Sequence, residues 1–156
     1  MTRRYVPVTF VAVASLLVVT TLICASEPKD KAGVPQEMKM TLQQFEKVEV
    51  LEFDWRWIRW LMNSKIDPKA EMTLGVVYIK PNQVHPMHLH PNSGEYLHVT
   101  EGSCEHWVGD KWVTMEAGDT IRIPKNAPHR ARTKDEGCRC VIVYNTGDRK
   151  MVTLDD

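Results

Sequence analysis

Along most of this chain apolar and polar residues alternate in short runs, and turn-forming residues interrupt the runs about every ten positions. Glu95-Tyr96-Leu97-His98-Val99-Thr100 and Ile121-Arg122-Ile123 have the period of two that a half-buried strand requires. Ile66-Asp67-Pro68-Lys69, Lys80-Pro81-Asn82, Glu101-Gly102, Gly109-Asp110, Lys134-Asp135-Glu136-Gly137 and Asn145-Thr146-Gly147 supply the turns. β-branched runs between such turns predict an all-β barrel or sandwich from Val48 onward, with Met40 to Val50 as a short helix or lead-in strand. In Phe53 to Met62, alternation puts Trp55, Trp57, Arg59 and Leu61 on one face and Arg56, Ile58, Trp60 and Met62 on the other. That density of Trp and Arg suits a core and a dimer interface; stacking on a sugar or aromatic ligand is the alternative.

The start of the chain follows a different pattern. Val6 to Ile23 is an uncharged, mostly apolar run of 18 residues, preceded by Arg3 and Arg4 and followed by Cys24-Ala25-Ser26. This predicts a secretory leader over residues 1–26, cleaved after Ala25 or Ser26. An uncleaved membrane anchor and lipidation at Cys24 are the alternatives. Residues 27–47 then form a tether and lead-in segment, and residues 48–156 a single domain in the periplasm or outside the cell. Loss of Arg3 and Arg4 with the leader moves the formal charge from zero to −2, and a near-neutral balance argues against nucleic acid as a partner. Export also bears on Cys104, Cys138 and Cys140, the odd number of cysteines left in the mature chain. Cys104 can pair with Cys138 or Cys140, whereas a Cys138 to Cys140 bridge on one strand stretches the Cα separation to its limit. No catalytic role is assigned to them.

The candidate chemistry lies in two histidine-bearing segments. His88 and His90 are one residue apart, so on an extended chain both imidazoles face the same way. Pro91-Asn92-Ser93-Gly94 is a turn that can return Glu95 to that pair, and Pro124-Lys125-Asn126-Ala127-Pro128 delivers His129 from a distant strand. Three imidazoles and one carboxylate are a plausible shell for one divalent metal. Alternation turns His98 and Tyr96 away from a cavity that Glu95 faces, and His85 and His106 are expected to be solvated or strand-flanking groups. Arg122, Arg130 and Arg132 read as outward charges.

These residues resemble the cupins. His88, His90, Glu95 and Gly102 fit the first cupin motif, G-x5-H-x-H-x4-E-x6-G, and Gly118, Pro124 and His129 fit the second, G-x5-P-x-G-x2-H-x3-N. Three positions depart from the pattern. Asn82 and Asn126 stand where the motifs have glycine, and Asn is the residue that best replaces glycine in a left-handed turn. Thr133 stands where the second motif closes on Asn, which affects local hydrogen bonding more than metal binding.

The resemblance implies a small single-domain jelly-roll β-barrel of the type-2 cupin kind, with a quercetinase-like site in which His88, His90, Glu95 and His129 hold one divalent ion. Fe or Mn is favoured, with Zn, Ni or Co as alternatives. It implies a homodimer and a small-molecule ligand or substrate, with membrane contact only through the N-terminal segment. The leading expectation is an exported dioxygenase-like oxidoreductase in which Glu95 ligates or takes a substrate proton. Two further readings use the same residues: a metal-dependent isomerase or lyase, and a non-catalytic binder of a sugar or small carboxylate.

Overall fold

The computed structural model describes residues 40–155. The expected leader at residues 1–26, and the tether up to residue 39, lie outside these. Among the described residues no helix is long and apolar enough to cross a membrane.

The described residues form an antiparallel, all-β fold with one short 3-10 turn, Phe45–Lys47, in the expected lead-in segment. Ten strands follow in chain order: β1 (Leu51–Glu52), β2 (Arg56–Met62), β3 (Thr73–Ile79), β4 (His88–Leu89), β5 (Glu95–Val108), β6 (Lys111–Glu116), β7 (Thr120–Ile123), β8 (His129–Arg132), β9 (Cys138–Tyr144) and β10 (Val152–Thr153). They pair in the order β1-β2-β3-β9-β5-β8-β4-β10, with β6 and β7 also on β5. Strand order runs against chain order, and the sheet curls into the jelly-roll barrel that the alternating pattern predicts.

β5 joins the two halves of that barrel. Its first part pairs with β7 and β9, Glu95 lying opposite both Ile123 and Tyr144, and its second part pairs with β6 and β8. The change occurs at a register shift between Val99 and Glu101, a β-bulge that bends the strand and resets which side chains face inward. Leu97 and Val99 are buried before it, Thr100 and Glu101 are exposed at it, and Cys104 and His106 are buried after it. Gly102 follows the bulge at φ +70, where a Cβ would overlap the carbonyl oxygen of Gly137, so only glycine fits.

Ile58, Val77, Ile79, Leu97, Val99, Met115, Ala131 and Ile142 form the core with Tyr144 and the cysteines, and Trp55 and Trp60 pack against it. Each fully buried aliphatic side chain contributes roughly 1.5–3 kcal/mol. The alternation read in Phe53 to Met62 holds at Ile58, 1% exposed on the inner face. On the opposite face Trp57 stacks on its cross-strand neighbour Tyr78, and Arg139 lies over Trp57.

The three departures from the cupin motifs have local solutions. Asn82 and Asn126 adopt φ 55 and 63, the left-handed turn conformation expected of them. Thr133 is buried; its hydroxyl donates to the Lys80 carbonyl at 2.6 Å and accepts from the Gln83 N–H at 3.1 Å. It thus ties the turn before β4 to the end of β8.

Candidate metal centre

Short strands bring the four expected residues together. His88 on β4 lies opposite His129 on β8 in the ladder, His90 follows just past the end of β4, and the turn at Pro91 to Gly94 returns the chain so that Glu95 opens β5. All four side chains are buried, and one donor atom from each lies within 4.8 Å of the others. This is a separation that one ion could span.

Hydrogen bonds around the rings decide which nitrogens face inward. His88 Nδ1 is 2.9 Å from the Pro86 carbonyl, His90 Nδ1 is 2.7 Å from the Lys150 carbonyl, and His129 Nδ1 is 2.9 Å from the Ala127 carbonyl. A carbonyl oxygen only accepts, so each Nδ1 carries its hydrogen, and in the neutral ring Nε2 carries a lone pair. His90 and His129 direct Nε2 to the same oxygen of Glu95, at 3.2 and 3.1 Å. Lone pairs facing one another at that distance need a cation between them, either a proton or a metal ion. His90 Nε2 has no hydrogen-bonding geometry to any partner, which leaves it suited to a metal.

The electrostatics agree. Burial, and then the neighbouring His129, lowers His88 to about 3, which keeps the ring in its neutral, ligating form. Burial would raise Glu95, but the His129 and His90 rings that face its carboxylate prevail and hold it well below its ordinary value. A carboxylate that stays ionised when buried is the anionic ligand such a site requires.

Around this shell lie residues that the sequence did not reveal. Tyr144 on β9 is the ladder partner of Glu95; it hydrogen-bonds Glu95 and meets the His90 ring edge-on at 4.8 Å. Burial, and then the Glu95 charge, raises its hydroxyl well above the ordinary tyrosine value, so Tyr144 is a neutral donor. Arg149 lies over Trp60 and Tyr144, and both Trp60 and Arg149 also line a cleft of about 350 Å³. Arg56 lies over Phe53 and Trp55, its buried Nε has no partner, and its charge acts on Tyr144 and Glu95.

His85 corrects an expectation. It is not a solvated flank: it is half-buried, with its ring between Trp55 at 4.5 Å and His88 at 4.1 Å, and burial followed by the His88 charge lowers it well below the ordinary histidine value. His106 corrects another, being buried with neither ring nitrogen hydrogen-bonded. His98 and Tyr96 are exposed as alternation predicts, His98 bonding Thr120 at 2.9 Å. Arg132 pairs outside the centre, with Glu105 at 2.6 Å, and Arg122 is exposed.

Residues 75–154 match the family model described as the cupin domain. Protein SchB of Streptomyces halstedii is 35% identical over 70 residues, which cover 44% of this chain and 51% of that protein. Among solved structures, the formate complex of oxalate decarboxylase from Lactobacillus farciminis aligns with a TM-score of 0.65 at 23% identity, over 70% of this chain and 34% of that one. A Bacillus subtilis oxalate decarboxylase variant aligns with a TM-score of 0.65 at 18% identity, over 70% of this chain and 31% of that one. The chain thus spans about half the length of the curated relative and about a third of these structures.

Proposed function

This chain belongs to the cupin-domain family, and from that premise we propose that it is an exported, mononuclear metal-dependent oxidoreductase of the dioxygenase kind, acting on a small organic anion. The observation that carries the reading is the orientation of the three histidines. Backbone carbonyls occupy every Nδ1 and leave the Nε2 atoms to converge with Glu95. Ligands held in this way by a surrounding set of hydrogen bonds are preorganised for a metal.

In this reading His88, His90, Glu95 and His129 would hold one divalent ion, Fe or Mn before Zn, Ni or Co. The ion would supply Lewis acidity and, if redox-active, electron transfer with O₂. The protein's own residues do the rest. Arg56 and Arg149 present positive charge next to Glu95 and Tyr144, which favours a substrate that carries a carboxylate or enolate. Trp55 stacks on His85 and Trp60 lies against Tyr144, which sets apolar rings beside the centre. Glu95 is placed to accept a substrate proton, and the Tyr144 hydroxyl bonded to it orients its carboxylate.

A lyase or isomerase reading draws on the same Glu95–Tyr144 pair, which can move a proton without O₂. The experiment is the metal content of the full chain, purified without chelators, followed by oxygen uptake with small carboxylates. Near one equivalent of Fe or Mn, with uptake of O₂, supports the oxidoreductase. Turnover that persists without O₂ transfers the assignment to the lyase class, and a chain that holds no metal in this centre sinks both.

A further inference from the structure

β5 and β9 carry a second group of donor atoms. Cys104 on β5 and Cys138 and Cys140 on β9 are free thiols, each at most 3% exposed. Their three Sγ atoms all lie within 4.8 Å of one another, with Cys138 Sγ 3.4 Å from Cys140 Sγ. Cys138 and Cys140 are two residues apart on one strand and so project to the same side, and the bulge in β5 turns Cys104 inward to meet them. Thiolates around a soft ion at ~2.3 Å stand about 4 Å apart in a trigonal site, within the span seen here.

The closest sulfur pair, Cys138 and Cys140, is the one least suited to a disulfide, because alternate strand residues have Cα atoms near the upper limit for that bond. Three thiols this close also share one negative charge. Hydrogen bonding from Cys104 and then Cys140 pulls Cys138 down, while the bond with Cys138 pushes Cys104 up and the bond with Cys104 pushes Cys140 up. Ionising all three requires a cation among them.

His106 adds an independent observation. It lies two residues beyond Cys104, is 3% exposed, and has no hydrogen-bond partner on either ring nitrogen. Burial lowers it, and the charges of Glu95, His129 and then Cys138 reach it, so it lies between the histidine centre and the thiols. Buried imidazoles are rarely left unpartnered, so the interior beside the thiols is a polar environment without its full set of partners.

We propose that Cys104, Cys138 and Cys140 form a second metal site, a three-sulfur pocket for a thiophilic cation of the Cu(I) class, separate from the His88, His90, Glu95 and His129 centre. Softness selects the ion: thiolates prefer Cu(I) and Zn, and three donors complete a trigonal Cu(I) shell, whereas tetrahedral Zn needs a fourth. The site joins the outgoing half of β5 to β9 and is closed to solvent, which suits an ion that is held firmly.

The test uses the full chain with Cys24→Ser, reduced and kept free of O₂, titrated with Cu(I) against a competing chelator. The expected result is one retained equivalent, three cysteines protected from alkylation, and a first shell of three sulfurs by X-ray absorption. His88→Ala with His90→Ala keeps that equivalent; Cys138→Ser with Cys140→Ser loses it. No retention by the parent, equal retention by the serine variant, or a nitrogen-dominated shell overturns the proposal. If the serine variant fails to fold, alkylation of the parent decides, because a cysteine of the three that remains reactive with Cu(I) bound overturns it.

Discussion

The histidine cluster and the cysteine cluster both draw a ligand from β5, Glu95 before its bulge and Cys104 after it, yet the chain supports them differently. At the first, each ring is fixed by a bond to a backbone carbonyl of Pro86, Ala127 or Lys150. At the second, the sulfurs bond among themselves. Donors oriented from outside keep their positions whether or not a ligand is present, and are free to exchange one for another; donors held only by each other depend on what binds between them. The first arrangement suits a working centre beside a tyrosine and two arginines, and the second suits a closed site.

The largest effect is expected from removing ligands at one cluster. His88→Ala with His90→Ala takes the divalent metal from about one equivalent to almost none, measured on the purified full chain, and leaves the thiol count unchanged. Divalent metal that survives the double substitution would mean that the histidine cluster does not hold it, and the comparison would collapse.

Acid should act next most strongly, through the buried rings of the interior. Burial lowers His85, His88 and His106 in the folded state, so below about 6.5 the unfolded chain binds more protons than the folded one. The stability they contribute is complete above that value and is lost as pH falls, down to about 3 for His88. Glu95, held well below 4.5, acts in the same direction: its contribution is present above that value and lost on acidification. Each ring kept neutral contributes up to about 1.4 kcal/mol per pH unit within its window. Urea midpoints of the metal-free protein should therefore fall steadily from pH 7 to pH 4, and His106→Leu should flatten that decline. A midpoint independent of pH would mean that the rings are hydrated.

The junction between the two halves can be strained directly. Gly102→Ala places a Cβ against the Gly137 carbonyl at a left-handed φ, and should cost at least ~2 kcal/mol. Gly109→Ala, at the same φ with nothing within 4 Å, should cost only about 1 kcal/mol. Chemical denaturation of the pair separates steric conflict from backbone strain, and equal losses would remove the special status given to the bulge.

How much of this was legible in the chain follows from which contacts are local. His88, His90 and Glu95 declared themselves because a one-residue gap and a four-residue turn fix their relation within eight residues. The glycine-like roles of Asn82 and Asn126 were legible for the same reason. Tyr144 was not, because only the pairing of β5 with β9 sets it beside Glu95. His106 belongs to no motif, and alternation counted from Glu95 would not have recovered it, because it carries across a bulge that no residue announces and one extra residue turns every later side chain to the opposite face. The cysteine cluster was half legible. The neighbouring strands were foreseen, but not that all three sulfurs would meet.

Tyr144→Phe tests the wall of the first cluster without touching its ligands. It deletes the hydroxyl bonded to Glu95 and leaves the ring against His90. Metal content should stay near one equivalent while turnover falls roughly 10- to 100-fold, the usual cost of losing a group that orients a ligand. Loss of metal instead would make Tyr144 part of the binding shell.

The smallest effect tests whether the turns or only the ligands matter. The Asn126 N–H donates to the His90 carbonyl at 3.0 Å, so the turn that delivers His129 also holds the segment that carries His90. Asn126→Gly keeps the left-handed backbone and should change stability by no more than about 0.5 kcal/mol, whereas Asn126→Ala should cost about 1 kcal/mol. Metal affinity should follow the same order, since any shift of this turn moves two histidines at once. If Asn126→Ala weakens metal binding without lowering stability, the turn acts on ligand geometry more than on folding, and the support of the histidine cluster extends to the backbone of the second motif.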